Sequence, residues 1–157
     1  KMDNLCKTGF IATEILLKGK NTSEKYLPEE AGIVFSNSHS SLDTDMRYEE
    51  SMKSVPSPAM FVYTLPNILS GEISIRHRFK GETACFVFDI FDAPFQTNYV
   101  NDLFERGRIK TCVSGWADYC NGNAEAFFYL AEETGNTISL KHDLNNILKI
   151  VADTWKN

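Results

Sequence analysis

The sequence predicts an α/β fold in which helices cover a sheet, and three observations predict it. Short apolar, β-rich runs at Ile33 to Asn37, Thr83 to Ile90 and Ile109 to Ser114 alternate with longer stretches whose apolar residues recur at helical spacing. Thr83 to Ile90 is nearly all apolar, the composition of a strand covered on both faces. The helical stretches carry start and stop signals, such as Asp3 before the first and Gly19 after it. With 157 residues, 43% of them hydrophobic and 24% charged, the chain can bury one core, so residues 1–157 are read as a single domain.

In order along the chain, Asp3 caps a helix that runs to about Lys18, with Leu5, Gly9, Ala12 and Leu16 on one side. Asn21 to Glu30 is polar and contains Pro28, hence a loop. Ile33 to Asn37 is a short buried strand, and Ser36 to Ser41 is turn-rich. Asp43 to Lys53 reads as a short charged helix. Pro56 and Pro58 then bracket an approach through Phe61, Val62 and Tyr63 to Thr64-Leu65-Pro66, where Thr64 reads as a cap and Pro66 as a first-turn residue. The helix so begun covers Asn67 to Arg78, has a small Gly71 that lets another backbone approach, and leaves through a left-handed Gly81.

After the strand at Thr83 to Ile90, Pro94 suits a first helical turn. Tyr99, Val100, Leu103 and Phe104 define a helix over Gln96 to Arg106 that Gly107 ends. Ile109 to Ser114 is a strand and Trp116 to Gly122 a turn region, while Ala124 to Glu132 is apolar enough for strand or helix. Thr134 to Ser139 is a loop, and Ser139 caps a last helix, Leu140 to Trp155, with Leu144, Ile147, Leu148, Val151 and Trp155 on its face.

Totals exclude several classes. A net charge of -5 gives no basic surface for nucleic acid, and the basic clusters Arg76, His77, Arg78, Lys80 and Arg106, Arg108, Lys110 read as solvated helix ends. Cys6, Cys85, Cys112 and Cys120 lack Cys-x-x-Cys spacing, the pattern of reduced, buried thiols in a cytoplasmic protein rather than a disulfide framework or zinc site. No run approaches the roughly eighteen apolar residues of a membrane span, and no signal peptide is visible. The carboxylates Asp43, Asp45, Glu49 and Glu50 read as an exposed helix face rather than a metal site. His39 among serines invites a Ser/His catalytic reading, but no nucleophile elbow surrounds Ser38 or Ser40, so the segment is read as a loop. Neither cofactor nor metal is expected. The chain starts at Lys1 rather than Met and is expected to be trimmed.

One stretch carries more than these patterns. Ser57 to Gly115 contains a Ser-Pro-x-x-Phe start at Ser57, an Asn-x-x-x-Gly helix with Asn67 and Gly71, and a Lys80-Gly81 pair before the apolar strand. Lys1 to Lys18, Gly32 to Asp45 (GIVFSNSHSSLDTD) and Gly107 to Trp116 (GRIKTCVSGW) fall in a fitting order around it. Together, over about Lys1 to Glu132, the chain resembles the N-terminal half of a β-ketoacyl-acyl carrier protein synthase. The resemblance implies a thiolase-like half-domain with a mixed five-stranded sheet covered by helices, Ala124 to Glu132 as its last strand, and a further strand upstream of Lys1. In the complete family a second, similar half brings two histidines; His39, His77 and His142 lie in a loop, a helix end and the terminal helix and match neither.

The departure from that family lies at its nucleophile. There, the central strand ends at a cysteine on a sharp strand-to-helix turn, about nine residues beyond the Lys-Gly glycine and about seventeen before the glycine that closes the next helix. Counting from Gly81 and back from Gly107 both arrive at Ile90, which has no thiolate to attack a thioester. Cys85 lies five residues earlier, in the strand, and reads as a small buried hydrophobe, with a displaced nucleophile as its alternative. Asp92-Ala93-Pro94 replaces the small, Gly-containing run of such an elbow.

No catalytic residue is therefore expected. The resemblance implies a non-catalytic ketosynthase-like protein of fatty-acid, polyketide or aryl-polyene type biosynthesis, acting by self-association or by binding a true synthase. The alternative is a 3-oxoacyl-acyl carrier protein synthase or acyltransferase activity completed in trans by a second subunit, with Cys85 or a donated residue as nucleophile; a third reading is a fragment that folds and does nothing of its own. The implied partners are a second copy or a full-length ketosynthase, and an acyl carrier protein. Because the family's central strand pairs across a dimer two-fold, Asn67, Gly71, Ala84, Phe86 and Phe88 are the expected interface residues.

Overall fold

The structure is a computed structural model that describes residues 2–133 and 140–154. Within them the chain runs α1 (Asn4–Leu17), α2 (Thr22–Lys25), a 3-10 turn (Pro28–Glu30), β1 (Ala31–Asn37), α3 (Leu42–Ser51), α4 (Pro58–Val62), α5 (Ile68–His77), β2 (Thr83–Val87), α6 (Ala93–Glu105), β3 (Thr111–Cys120), β4 (Asn123–Glu132) and α7 (Leu144–Thr154). The strands form one sheet in the order β2-β1-β3-β4. β1 is parallel to both β2 and β3, and β3 and β4 form an antiparallel hairpin. The sheet is mixed, as expected, but has four strands among the described residues rather than five. The three β-rich runs of the sequence and the apolar run Ala124 to Glu132 account for all of them.

From β1 the chain crosses through α5 to β2 and returns through α6 to β3. Two parallel connections running in opposite directions across a sheet place their helices on opposite faces when both are right-handed. Two cores result. Leu5, Leu17, Leu69, Ile73 and Phe79 bury Ile33, Phe35, Val113 and Ala117 on the α1 and α5 face. Val100, Leu103, Phe104 and Ile147 bury Val34, Cys112, Trp116 and Tyr129 on the α6 and α7 face. The buried stripe of α1 is Leu5, Cys6, Gly9, Thr13 and Leu17, turned slightly from the predicted Leu5, Gly9, Ala12 and Leu16.

Several local expectations need correction. Residues 21–30 hold a helical turn and a 3-10 turn where a loop was expected. Ser57, accepting from Met60 N–H at 3.3 Å, caps α4; Thr64 caps nothing and donates to the Phe61 carbonyl at 2.7 Å, so α5 begins only at Ile68. The left-handed residue that closes α5 is Arg78 (φ 59°), not Gly81. Gly81 is needed for a close approach instead, since a Cβ there would stand 2.7 Å from the Ala31 carbonyl oxygen. The turn expected over Trp116 to Gly122 is confined to Asn121-Gly122 (φ 51° and 84°), a two-residue hairpin turn that lets β3 run on to Cys120. Ala124 to Glu132 is strand. β2 ends at Val87 rather than Ile90 and is the sheet edge; both its faces meet a core, through Cys85 on one side and Ala84 and Phe86 on the other, but only in part, and Thr83 and Val87 are exposed. The segment Thr134 to Ser139 and Trp155 lie outside the described residues. Asp143 accepts from the Asn146 N–H at 3.0 Å at the start of α7, and His142 precedes that helix.

Candidate functional site

The carboxyl ends of β1 and β2 and the overhanging β3–β4 hairpin surround a cavity of about 590 Å³. In open α/β sheets ligands bind beyond the carboxyl ends of strands, where the connections diverge in direction, and this cavity lies there. One wall is the turn between β2 and α6, which holds Asp89, Ile90 and Phe91. Strand alternation points Trp116, Asp118 and Cys120 to the same side of β3, and all three line the cavity. Ile90 is 76% exposed at the turn, whereas Phe91 turns inward and packs edge-on against Phe127 at 4.8 Å. Asp92 caps α6 by accepting from the Phe95 N–H at 2.8 Å, and Pro94 sits in its first turn as the sequence predicts. No thiol stands at this turn.

Cys85 lies mid-strand and faces the α1 and α5 core, the opposite side of the sheet from α6. Burial pushes its thiol up to about 12, and it lies away from the positive end of α6 that would favour a thiolate. Burial likewise raises Cys112 to about 12 and Cys6 higher still, and all four cysteines are free.

The loop after β1 presents a pair that the sequence did not join. His39 Nδ1 lies 2.6 Å from Asp118 Oδ2, and the His39 backbone N–H donates to Asp118 Oδ1 at 3.0 Å. Ser38 Oγ also donates to Asp118 Oδ2, at 3.0 Å. Burial pushes the Asp118 carboxyl up, but the hydrogen bonds from His39 and Ser38 outweigh it and hold the group below its ordinary range. An ionised Asp118 can only accept, so His39 Nδ1 carries a proton and donates it to that carboxylate. Ser38 and Asp118 thus crowd the same ring nitrogen, at 2.8 and 2.6 Å, which is not the arrangement of a Ser-His-Asp triad, where serine and aspartate engage opposite nitrogens. The loop reading of Ser38 and His39 agrees with this geometry.

The remaining expected residues fall elsewhere. Ala84 and Phe86 pack toward the α6 core, and Phe86 meets Phe95 at 4.8 Å and Tyr99 at 5.0 Å, with Phe88 5.0 Å from Phe95. Asn67 and Gly71 lie on α5, on the other side of the sheet, with open space where a Gly71 side chain would be. The basic clusters are largely neutralised: Arg76 and His77 by Glu14, Arg106 by Asp102, Arg108 by Glu82 and Lys110 by Glu30. Asp45, Glu49 and Glu50 are exposed along α3, and Asp43 lies 3.8 Å from Arg47. Among the described residues no group of three or more His, Cys, Asp or Glu side chains is placed to hold a metal ion. No described helix is long and apolar enough to cross a membrane.

This layering of helices, mixed sheet and helices is the thiolase-like architecture of ketosynthases and chain length factors. Among solved structures, the chain is similar to the ishigamide ketosynthase/chain length factor, with a TM-score of 0.67 at 17% identity over 89% of this chain and 45% of that one. It is also similar to AntDE:AntF, a type II PKS acyl-carrier protein in complex with its ketosynthase bound to the hexaketide, with a TM-score of 0.57 at 17% identity over 77% of this chain and 36% of that one. The chain thus spans less than half the length of either. No family model and no curated protein matches it.

Proposed function

We propose that the chain is a non-catalytic ketosynthase-like protein of fatty-acid, polyketide or aryl-polyene type biosynthesis that acts by pairing, with a second copy or with a full-length ketosynthase. The observation that carries the reading is Ile90, exposed at the strand-to-helix turn to which both residue counts assign the family's nucleophile. Covalent catalysis needs a group that can attack there, and an alkyl side chain cannot. Cys85 offers no substitute, because it faces the other core and holds its proton.

Pairing is supported by the open edge of β2. Ile33 N–H donates to the Glu82 carbonyl at 3.0 Å and Phe88 N–H to the Asn37 carbonyl at 2.9 Å. With the parallel register between them, residues 82, 84, 86 and 88 bond to β1, and Thr83, Cys85 and Val87 turn their N–H and C=O groups outward. Such an edge is a template for another strand, and a two-fold through Cys85 sets it antiparallel to its own copy. Beside the edge, Phe86, Phe88, Phe95 and Tyr99 form an aromatic cluster that a partner can cover, while Asn67 and Gly71, on the α5 side of the sheet, join the interface through the resemblance alone. The resemblance to complexes of a ketosynthase with an acyl-carrier protein makes a carrier protein a further partner.

The test is to incubate the purified chain with acyl-loaded and malonyl-loaded carrier protein, alone and with a full-length ketosynthase, and follow intact mass and turnover. The expected result is no acyl adduct on this chain and no condensation by the chain alone. An acyl group on Cys85, or turnover without the added synthase, overturns the reading.

A further inference from the structure

The edge of β2 is complementary to itself, and that complementarity selects among partners. Thr83, Cys85 and Val87 turn their N–H and C=O groups outward, and Val87 is 53% exposed. A two-fold centred on Cys85 matches all three with their counterparts in a second copy, Cys85 with Cys85 and Thr83 with Val87. Centring one residue to either side matches only two of the three within the strand. On the α5 face, the Cys85 register lays the exposed Val87 against the exposed Thr83 of the other copy. On the α6 face, Ala84 falls opposite the partner's Phe86, in the pair type whose side chains stand closest, so a methyl group meets a ring on both sides of the axis. Centring on Phe86 would set ring against ring, and centring on Ala84 would set each Phe86 against the partner's Glu82.

Charge follows the same symmetry. No charged residue lies between Thr83 and Phe88, and Glu82 is engaged by Arg108 at 2.7 Å. Asp89 follows the carboxyl end of the edge and Lys80 precedes its amino end, and both are exposed. Lys80 Nζ lies 4.0 Å from Glu29 Oε1, too far for a hydrogen bond. An antiparallel copy in the Cys85 register sets Asp89 opposite Gly81 and beside the partner's Lys80, so opposite charges meet at both ends. We propose, building on the pairing role above, that the partner of β2 is a second copy of this chain in the register centred on Cys85, rather than a full-length ketosynthase. A different chain meets the edge equally well only by repeating its order of base, small residue, ring and acid.

Disulfide trapping reads the register. One variant carries Thr83→Cys with Cys85→Ser, a second carries Val87→Cys with Cys85→Ser, and the two are oxidised with diamide, mixed and separately, before crosslinks are mapped by peptide mass spectrometry. Facing residues of a hydrogen-bonded antiparallel pair have Cα atoms about 5.5 Å apart, within disulfide reach. The mixture is expected to crosslink position 83 to position 87, and neither variant alone to crosslink at its new cysteine, since like positions then stand roughly 13 Å apart along the strands. Native mass spectrometry of the parent mixed with an equal amount of a full-length ketosynthase reads partner choice, and self-pairs should be favoured about tenfold or more over mixed pairs. Asp89→Lys, an exposed change that leaves the fold intact by circular dichroism, should weaken self-pairing about three- to tenfold, and adding Lys80→Asp to the same chain should restore it to within about threefold. A parent that runs as single chains contradicts pairing itself. A paired parent whose variants give no crosslink between positions 83 and 87, whose affinity the charge exchange does not restore, or which prefers the ketosynthase overturns the second-copy register and leaves pairing standing.

Discussion

Gln96 is the residue on which the site's framework depends most. It is fully buried on α6, and its amide donates to the Val34 carbonyl at 2.9 Å, the Gly115 carbonyl at 2.9 Å and Ser114 Oγ at 3.0 Å, while Ser36 Oγ lies 3.3 Å from its Oε1. One side chain thus ties the helix that follows Ile90 to β1 and β3. Replacing it with leucine leaves buried carbonyls unpaired, and urea unfolding should show a loss of about 2–4 kcal/mol. Cys85 and Ile90 give a chemical contrast. A thiol pushed up to about 12 by burial carries roughly a thousandth of the thiolate of an exposed cysteine at neutral pH, so an Ile90→Cys variant should gain an iodoacetamide-reactive site that the parent lacks at Cys85. Intact-mass kinetics would read the difference.

Histidine titration gives a residue-scale prediction with a definite sign. Burial holds His142 below its ordinary value of 6.5, and its Nδ1 donates to Asn101 Oδ1 at 2.7 Å. The unfolded chain therefore takes up the proton first, and stability falls as pH drops through 6.5 toward the lower folded value. His142→Gln should flatten that part of the pH profile in urea titrations from pH 7 to 5, leaving the slope of His77, which burial also lowers. At this scale the sequence was half legible: His39 stood out among its serines, but Asp118 did not. Its partner lies 79 residues away, and it sits in a stretch whose local composition reads as turn.

At the scale of elements, caps and composition carried the reading furthest. Asp3, Pro94 and the apolar runs located α1, α6 and three of the strands, because those signals are local, while Ala124 to Glu132 was read as strand only through the resemblance. What they could not give is neighbourhood. β2 has the composition of an enclosed strand yet lies at the edge, since composition reports how apolar a strand is and not which strand stands beside it. The Asn121-Gly122 pair was a missed local signal, and it would have turned the expected turn region into the β3–β4 hairpin. The edge makes a paired prediction. Proline at Cys85 removes an outward N–H and leaves the bonds to β1, so Cys85→Pro should stay folded and lose self-pairing. Proline at Phe86 removes a bond to β1 itself, and Phe86→Pro should lose both, with thermal melting and sedimentation distinguishing the two outcomes.

For the whole molecule, two helical layers leave two features facing outward: the bare edge of β2 with its aromatic cluster, and the acceptor-lined cavity at the carboxyl ends of the strands. The first suits a strand from another chain. The most direct measurement of the pairing role is light scattering coupled to size exclusion on the parent chain and on Cys85→Pro at the same concentrations. The account predicts the mass of two chains for the parent and of one for the variant; a parent that elutes as a single chain, or a Cys85→Pro variant that remains paired, would contradict it.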